Sequence, residues 1–261
     1  MGELKALLWD VDGTLAESER DGHRVAFNQA FEASGVPWRW DQTRYGELLC
    51  ITGGRERLLH DMRTRSDAPV MPDEREALAA AIHRRKNAFY AELVRGGGIP
   101  LREGVVELMR ECRASGVRMG IATTTSRSNV DALLQFHLGE HWGEGFAVCV
   151  CGEDVERKKP DPEVYLHALR ALGIGALEAV AIEDSPGGVA AACAAGIPVV
   201  VTRSAYFGNA TIEGAVAIGP GLHTRQGWQP GLDVSAGDGR GVGLDDIAGW
   251  RAQSENLSQY A

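Results

Sequence analysis

Apolar positions along the chain follow two rhythms, with a glycine run at residues 95–98 dividing them. Residues 4–9 form a short apolar run with the length and composition of a buried strand. From Glu17 to about Gly98 the spacing is helical. His23, Phe27, Ala30 and Phe31 recur on one face, and Ser34-Gly35 closes that helix. Further helices are predicted over 40–49, 55–63 and 73–93, with breaks at Thr52-Gly53-Gly54 and at 68–72. No strand pattern occurs in this span. It predicts a helical domain, residues 16–98, inserted straight after the first strand, with Arg95-Gly96-Gly97-Gly98 as the return hinge.

Beyond the hinge, helix and strand alternate regularly. Helices are predicted over 105–114, 129–138, 162–172 (capped by Asp161) and 185–195, and strands over 117–122, 146–151, 177–182 and 198–201. A last edge strand is expected at 215–218 and a short helix at 244–251. This alternation specifies an α/β fold, a parallel sheet flanked by helices with right-handed crossovers. Residues 1–15 and 99–261 make up the core, and the Gly-rich stretch 219–243 reads as a surface loop or partly disordered segment within it.

Composition narrows the partners. The chain has 261 residues, 44% apolar and 24% charged, which suits a globular protein with a sizeable core. A formal net charge of -9 argues against nucleic acid and membrane surfaces. No run approaches the ~20 apolar residues that span a bilayer. The chain enters its first strand at once, leaving no room for a signal peptide. Cys50, Cys112, Cys149, Cys151 and Cys193 have no metal-type spacing, and Cys149 and Cys151 share a strand face as reduced thiols. A monomer in a reducing cytoplasm is expected, or in a plastid-stroma-like compartment if a transit peptide has been removed.

Candidate chemistry gathers where a parallel sheet places it, at the carboxyl ends of the strands. The first strand ends in Asp10-Val11-Asp12-Gly13-Thr14, so two carboxylates one residue apart share a face. The strand after Gly116 ends in Thr123-Thr124-Thr125-Ser126, and a later one in Glu183-Asp184-Ser185. Lys158 and Lys159 precede Pro160-Asp161-Pro162. Clustered carboxylate oxygens suit Mg²⁺, while lysine, hydroxyls and helix N-termini suit phosphate. A carboxylate nucleophile splits phosphoryl transfer into two easier steps.

These residues resemble the haloacid dehalogenase superfamily of phosphatases, whose four motifs are matched by Asp10 to Thr14, Thr123, Lys159-Pro160 and Glu183-Asp184. The resemblance implies a Rossmann-like core with an α-helical cap of the β-phosphoglucomutase-like kind. It makes Asp10 the nucleophile and Asp12 the general acid and base. Thr123 and Lys159 would hold the phosphoryl oxygens. Mg²⁺ would sit on Asp10, the carbonyl of Asp12 and Asp184, with Glu183 supporting it. Protonating a leaving alkoxide requires a raised pKa of Asp12. Substrate-binding candidates are Glu17, His23, Thr52, Gly53, Gly54, Arg55, Arg57, His83 and Lys86 from the cap, and Thr124, Thr125 and Asn129 from the core. Arg55 and Lys86 would grip a second phosphate, and Glu17 would accept sugar hydroxyls.

The runs 13–19, 52–57 and 122–129 look closest to the CbbY-type branch. Its members convert xylulose-1,5-bisphosphate, an inhibitor of Rubisco in the Calvin cycle, to xylulose 5-phosphate. Two departures are visible: segment 19–23 carries one residue more than the family pattern, and the tail beyond Gly219 is longer. A sugar phosphomutase shares every core motif. A catalytically silent binding protein is disfavoured by the intact motifs, phosphonate hydrolysis by Asp12, and dehalogenation by the Glu183-Asp184 pair.

Overall fold

The computed structural model describes residues 3–232 and 239–258. Among these, six strands form one parallel sheet: β1 (Ala6–Trp9), β2 (Arg118–Ala122), β3 (Val148–Val150), β4 (Ala179–Glu183), β5 (Val199–Thr202) and β6 (Ala217–Gly219). Their order is β3-β2-β1-β4-β5-β6, all neighbours parallel. Strand β1 is central, with Trp9 level with Ile121 of β2 and Ile182 of β4. The chain therefore leaves three adjacent strands at one edge, carrying Asp10, Thr123 and Asp184 outward together.

Side-chain alternation sorts the two faces. Leu7, Trp9, Ile121, Val180 and Ile182 pack under α5 (Val105–Ser115), α6 (Arg127–Leu138) and α9 (Leu244–Ser258). Ala6, Leu8, Ala181, Val199 and Val201 pack under α7 (Glu163–Leu172) and α8 (Pro186–Ala194). The small residues Ala191 and Ala192 let α8 lie close to that face. Ser185 caps α8 by accepting the Gly188 N–H at 3.1 Å.

Between β1 and α5 the chain builds α1 (Arg24–Ala33), α2 (Gln42–Leu48), α3 (Gly54–Met62) and α4 (Pro72–Arg95). These helices share a separate apolar cluster of Phe27, Phe31, Trp38, Trp40, Tyr45, Leu58 and Ile82. Two aromatic contacts organise it, Phe27 to Trp40 at 4.8 Å and Phe31 edge-on to Trp40 at 4.9 Å.

The segment before α1 departs from regular α-helix. Residues Glu19–His23 form a π-helical turn, in which the Arg24 N–H reaches back to the Glu19 carbonyl. This wider turn runs directly into α1.

Two expectations change. The segment from Gly219 is not a surface loop over its described part. Gln229 bridges Ile218 in antiparallel fashion, Leu222 is buried, and the buried Trp228 stacks on Trp250 at 4.6 Å. A tryptophan meeting a partner some twenty residues away leaves no periodic trace in the sequence. Residues 233–238 of the predicted loop lie outside the described residues. Helix α9 runs to Ser258 rather than stopping at 251. Cys149 and Cys151 do share a face, with their sulfurs 3.6 Å apart, but Cys50 and Cys193 are exposed; all five thiols are free. No helix among the described residues is long and apolar enough to cross a membrane.

Candidate active site

The Asp10 N–H donates to the Ile182 carbonyl at 3.0 Å, extending the β1–β4 ladder one step before the chain turns. The turn is tight, with the Thr14 and Leu15 N–H groups both donating to the Val11 carbonyl. Gly13 sits at φ +84°, and a Cβ there would lie 2.0 Å from the Asp184 carboxylate. The glycine is thus needed twice, for its backbone angle and to let Asp184 close on β1.

Lys159 joins the three motifs. Its buried ammonium donates to Asp10 Oδ1 and Glu183 Oε1, each at 2.7 Å, and to the Ala122 carbonyl at 2.8 Å. Three donors meet three acceptors, so the charge is fully satisfied. Tyr165 donates to the same Glu183 oxygen at 2.5 Å. Glu183 is fully buried, its carboxylate accepting from both Lys159 and Tyr165. Ligand atoms of Asp10, Glu183 and Asp184 lie within 4.8 Å of one another. The Asp12 carboxylate stands apart from that group, accepting from Ser18 Oγ at 2.5 Å and lying 2.9 Å from His23 Nε2.

Above this floor is a cavity of about 670 Å³. Asp10, Asp12, Lys159, Asp184, Asn129 and Thr123 to Ser126 line it from the sheet edge. His23, Thr52, Gly53, Gly54, Arg55, Arg57, His83 and Lys86 line it from the helical segment. Lys158 reaches across the mouth to Glu56 at 2.6 Å, linking the two sides. Asn129 donates to Asn87 of α4 at 3.2 Å, a second link.

One candidate is not brought in. Glu17 does not line the cavity: it accepts the Ala205 N–H at 3.1 Å and lies 3.7 Å from Arg102 Nε. Arg102 in turn binds the Gly13 and Thr202 carbonyls. Glu17 is therefore occupied by Ala205 and Arg102, whereas Glu19, two residues on, lines the cavity.

The family model described as haloacid dehalogenase-like hydrolase matches residues 4–196. The chain belongs to that family. Among curated relatives, protein CbbY of Rhodobacter capsulatus is 45% identical over 204 residues, covering 78% of this chain and 87% of the relative. The plasmid-borne CbbY of Cupriavidus necator is 43% identical over 219 residues, covering 84% and 86%. Among solved structures, CbbY from Rhodobacter sphaeroides in complex with phosphate superposes with a TM-score of 0.76 at 42% identity, covering 81% of this chain and 92% of that one. A mutant of the same protein, in complex with xylulose-1,5-bisphosphate, has the same TM-score at 41% identity. This haloacid dehalogenase-like hydrolase is a phosphatase.

The electrostatics of the hydrolase's site fit a divalent cation. Burial, opposed by Lys159 and reinforced by Glu183, pushes Asp10 up to about 7. Burial together with Asp10 and Glu183 pushes Asp184 well above the usual carboxylate range. Two carboxyls made reluctant to ionise by the same crowding are what a hard cation with oxygen ligands would relieve.

Asp12 behaves oppositely to the sequence expectation. Burial alone would raise it, but the His23 imidazole and the Ser18 hydroxyl outweigh burial and hold it well below the usual range. The expectation considered only the chemistry Asp12 must perform, whereas its resting partners come from the turn and helix that follow.

Lys86 is the cavity's least satisfied cation. It is buried, its one hydrogen bond is to Asn87 at 3.4 Å, and it lies over the Phe27 and Tyr90 rings at 5.5 and 5.3 Å. Burial brings it down to about 8. His83, one turn earlier, is pushed down to about 4 by burial and by Lys86, so it faces the cavity as a neutral imidazole. Sequence reasoning missed Ser18, Glu19, Tyr45, Glu56 and Tyr165. Ser18, Glu19 and Glu56 had a signal, their place in the runs 13–19 and 52–57, whereas Tyr45 and Tyr165 had none.

Proposed function

We propose that the chain is a Mg²⁺-dependent sugar-phosphate phosphatase that hydrolyses xylulose-1,5-bisphosphate to xylulose 5-phosphate and phosphate, removing an inhibitor of Rubisco. The reading rests above all on one observation: Asp10, at the cavity floor, is bonded to buried Lys159 and lies beside Asp184. The bound ligands of the CbbY structures support the substrate.

Asp10 attacks phosphorus and forms an aspartyl-phosphate, while Lys159 and Thr123 hold the transferring oxygens. Asp12 donates its proton to the leaving sugar oxygen, then takes one from the water that frees Asp10. Because His23 and Ser18 favour its anion, Asp12 must leave these partners and take up a proton from water before it serves as the acid. Asp10, Asp184 and the Asp12 carbonyl would hold Mg²⁺, with Glu183 behind them. The ion supplies positive charge that lets a phosphate dianion approach clustered carboxylates. Residues 16–98 serve as a cap that excludes water and selects the substrate.

Arg55 and Lys86 grip the second phosphate. Arg55 is half-exposed and paired with Glu76, while Lys86 is buried and nearly unpaired. Lys86 with its pKa at about 8 is cationic below that pH and neutral above it. KM for a bisphosphate is therefore expected to rise about tenfold as pH passes through the Lys86 titration, the scale of one charge-assisted hydrogen bond. Lys86→Met should show the high KM at every pH. A wild-type KM that stays flat from pH 7 to about 9.5, on either side of that titration, would remove Lys86 from the grip.

The direct test is release of free phosphate from xylulose-1,5-bisphosphate and from ribulose-1,5-bisphosphate. Preference for the xylulose ester by about tenfold or more is expected, a difference within reach of hydrogen-bond discrimination. Equal rates would reject the substrate assignment. Conversion to an isomeric sugar phosphate without phosphate release would make the protein a mutase.

A further inference from the structure

Strand β3 lies at the edge of the sheet. Cys149 on it and Cys151 just past its end place their sulfurs 3.6 Å apart. Cys151 is fully buried, whereas Cys149 is partly open to solvent. The Cys151 thiol and the Arg127 guanidinium favour a thiolate at Cys149 and hold it below the usual thiol range, against the effect of burial. The same contact with Cys149, together with burial, pushes Cys151 up. One sulfur is thus the reachable nucleophile and the other a sheltered partner beside it. A disulfide needs Cα atoms roughly 4.4–6.8 Å apart, and two steps of an extended strand span about 6.6 Å. The bond is within reach at the upper end of that range, and forming it draws the chain together at residues 149–151.

That stretch clasps a loop of the active site. The Val150 carbonyl accepts the Thr123 N–H at 3.0 Å, and the Gly152 N–H donates to the Thr125 carbonyl at 2.9 Å. The approach is so close that a Cβ on Gly152 would collide with the Thr124 carbonyl. Thr123 to Ser126 and Gly152 all line the cavity. We infer that Cys149 and Cys151 form a reversible disulfide when a hydroperoxide oxidises them, and that the bond displaces the Thr123 loop and slows phosphate release. With hydrogen peroxide, the Cys149 thiolate attacks one oxygen, the O–O bond breaks, and hydroxide leaves as water with the proton that Cys149 gave up. The Cys151 sulfur then attacks the sulfenic sulfur. The S–S bond forms, the S–O bond breaks, and the departing hydroxide takes the Cys151 proton. Two thiols lose two electrons and two protons, and the peroxide is reduced to two waters. A dithiol reverses the bond by exchange.

The experiment treats the intact chain with hydrogen peroxide, alkylates the remaining thiols and weighs the tryptic peptide of residues 128–157, which holds both cysteines, no other cysteine and no methionine. The peptide is expected to lose two hydrogens and to escape alkylation. Hydrolysis of p-nitrophenyl phosphate, which does not depend on the sugar assignment, should fall about tenfold or more, in keeping with a small misplacement of a loop that holds phosphate. Dithiothreitol should restore both the mass and the rate. Cys149→Ser should keep its rate through the same treatment, while Cys50→Ser with Cys193→Ser, at the exposed thiols, should respond as wild type does. A peptide that stays reduced while Cys50 and Cys193 are oxidised would overturn the inference, as would one that only gains oxygen. A disulfide that forms without changing the rate, or an equal loss of rate in Cys149→Ser, would overturn the link to Thr123.

Discussion

Replacing Lys159 by methionine is expected to abolish turnover and to lower the melting temperature by roughly 6–20 °C. Its ammonium is buried and balances the Asp10 and Glu183 carboxylates, each at 2.7 Å. Methionine fills the space and leaves both acids without a counter-charge. Breaking a buried pair from one side costs about 3–5 kcal/mol, and each kcal/mol is worth about 2–4 °C in a chain of this size. Tyr165 still donates to Glu183, which softens the loss without supplying charge. Thermal unfolding followed by circular dichroism reads the stability and phosphate release the activity. An unchanged melting temperature would show that the carboxylates are neutral in the folded protein and that Lys159 is not their counter-ion.

Asp10→Asn is expected to separate the two effects. The amide keeps the shape and can still accept from Lys159, and burial already disfavours charge at this position. The fold should therefore survive, with the melting temperature within a few degrees of wild type. Turnover should fall at least about a thousandfold, because removing a nucleophile leaves only the binding contribution to catalysis. Near-normal phosphate release from this variant would exclude Asp10 as nucleophile.

What the sequence revealed and what it hid divide along a physical line. Asp10, Thr123 and Asp184 were legible because strand ends in a parallel sheet bring adjacent chain exits to one edge whatever the loops do. Lys159 was legible from its place before Pro160, although its three partners were not. Partnerships set by tertiary packing stayed hidden. Glu17 and Glu19 are both acidic, helix-proximal and two residues apart, and only the path of the chain decides that Arg102 engages the first while Tyr45 turns the second toward the cavity. The expectation for Asp12 failed for the same reason, since His23 meets it across eleven residues through a π turn that no periodicity announces. The Trp228–Trp250 stack likewise joins an aperiodic segment to a helix face.

The central claim is a covalent phosphoryl intermediate on the first strand. It is tested most directly by mixing the enzyme with Mg²⁺ and sugar bisphosphate carrying radiolabelled phosphate, quenching in acid and locating the label. The account predicts hydroxylamine-labile label on the peptide that contains Asp10, absent from Asp10→Asn and absent when a chelator removes divalent ions. Phosphate released at full rate with no label ever passing through that peptide would contradict it.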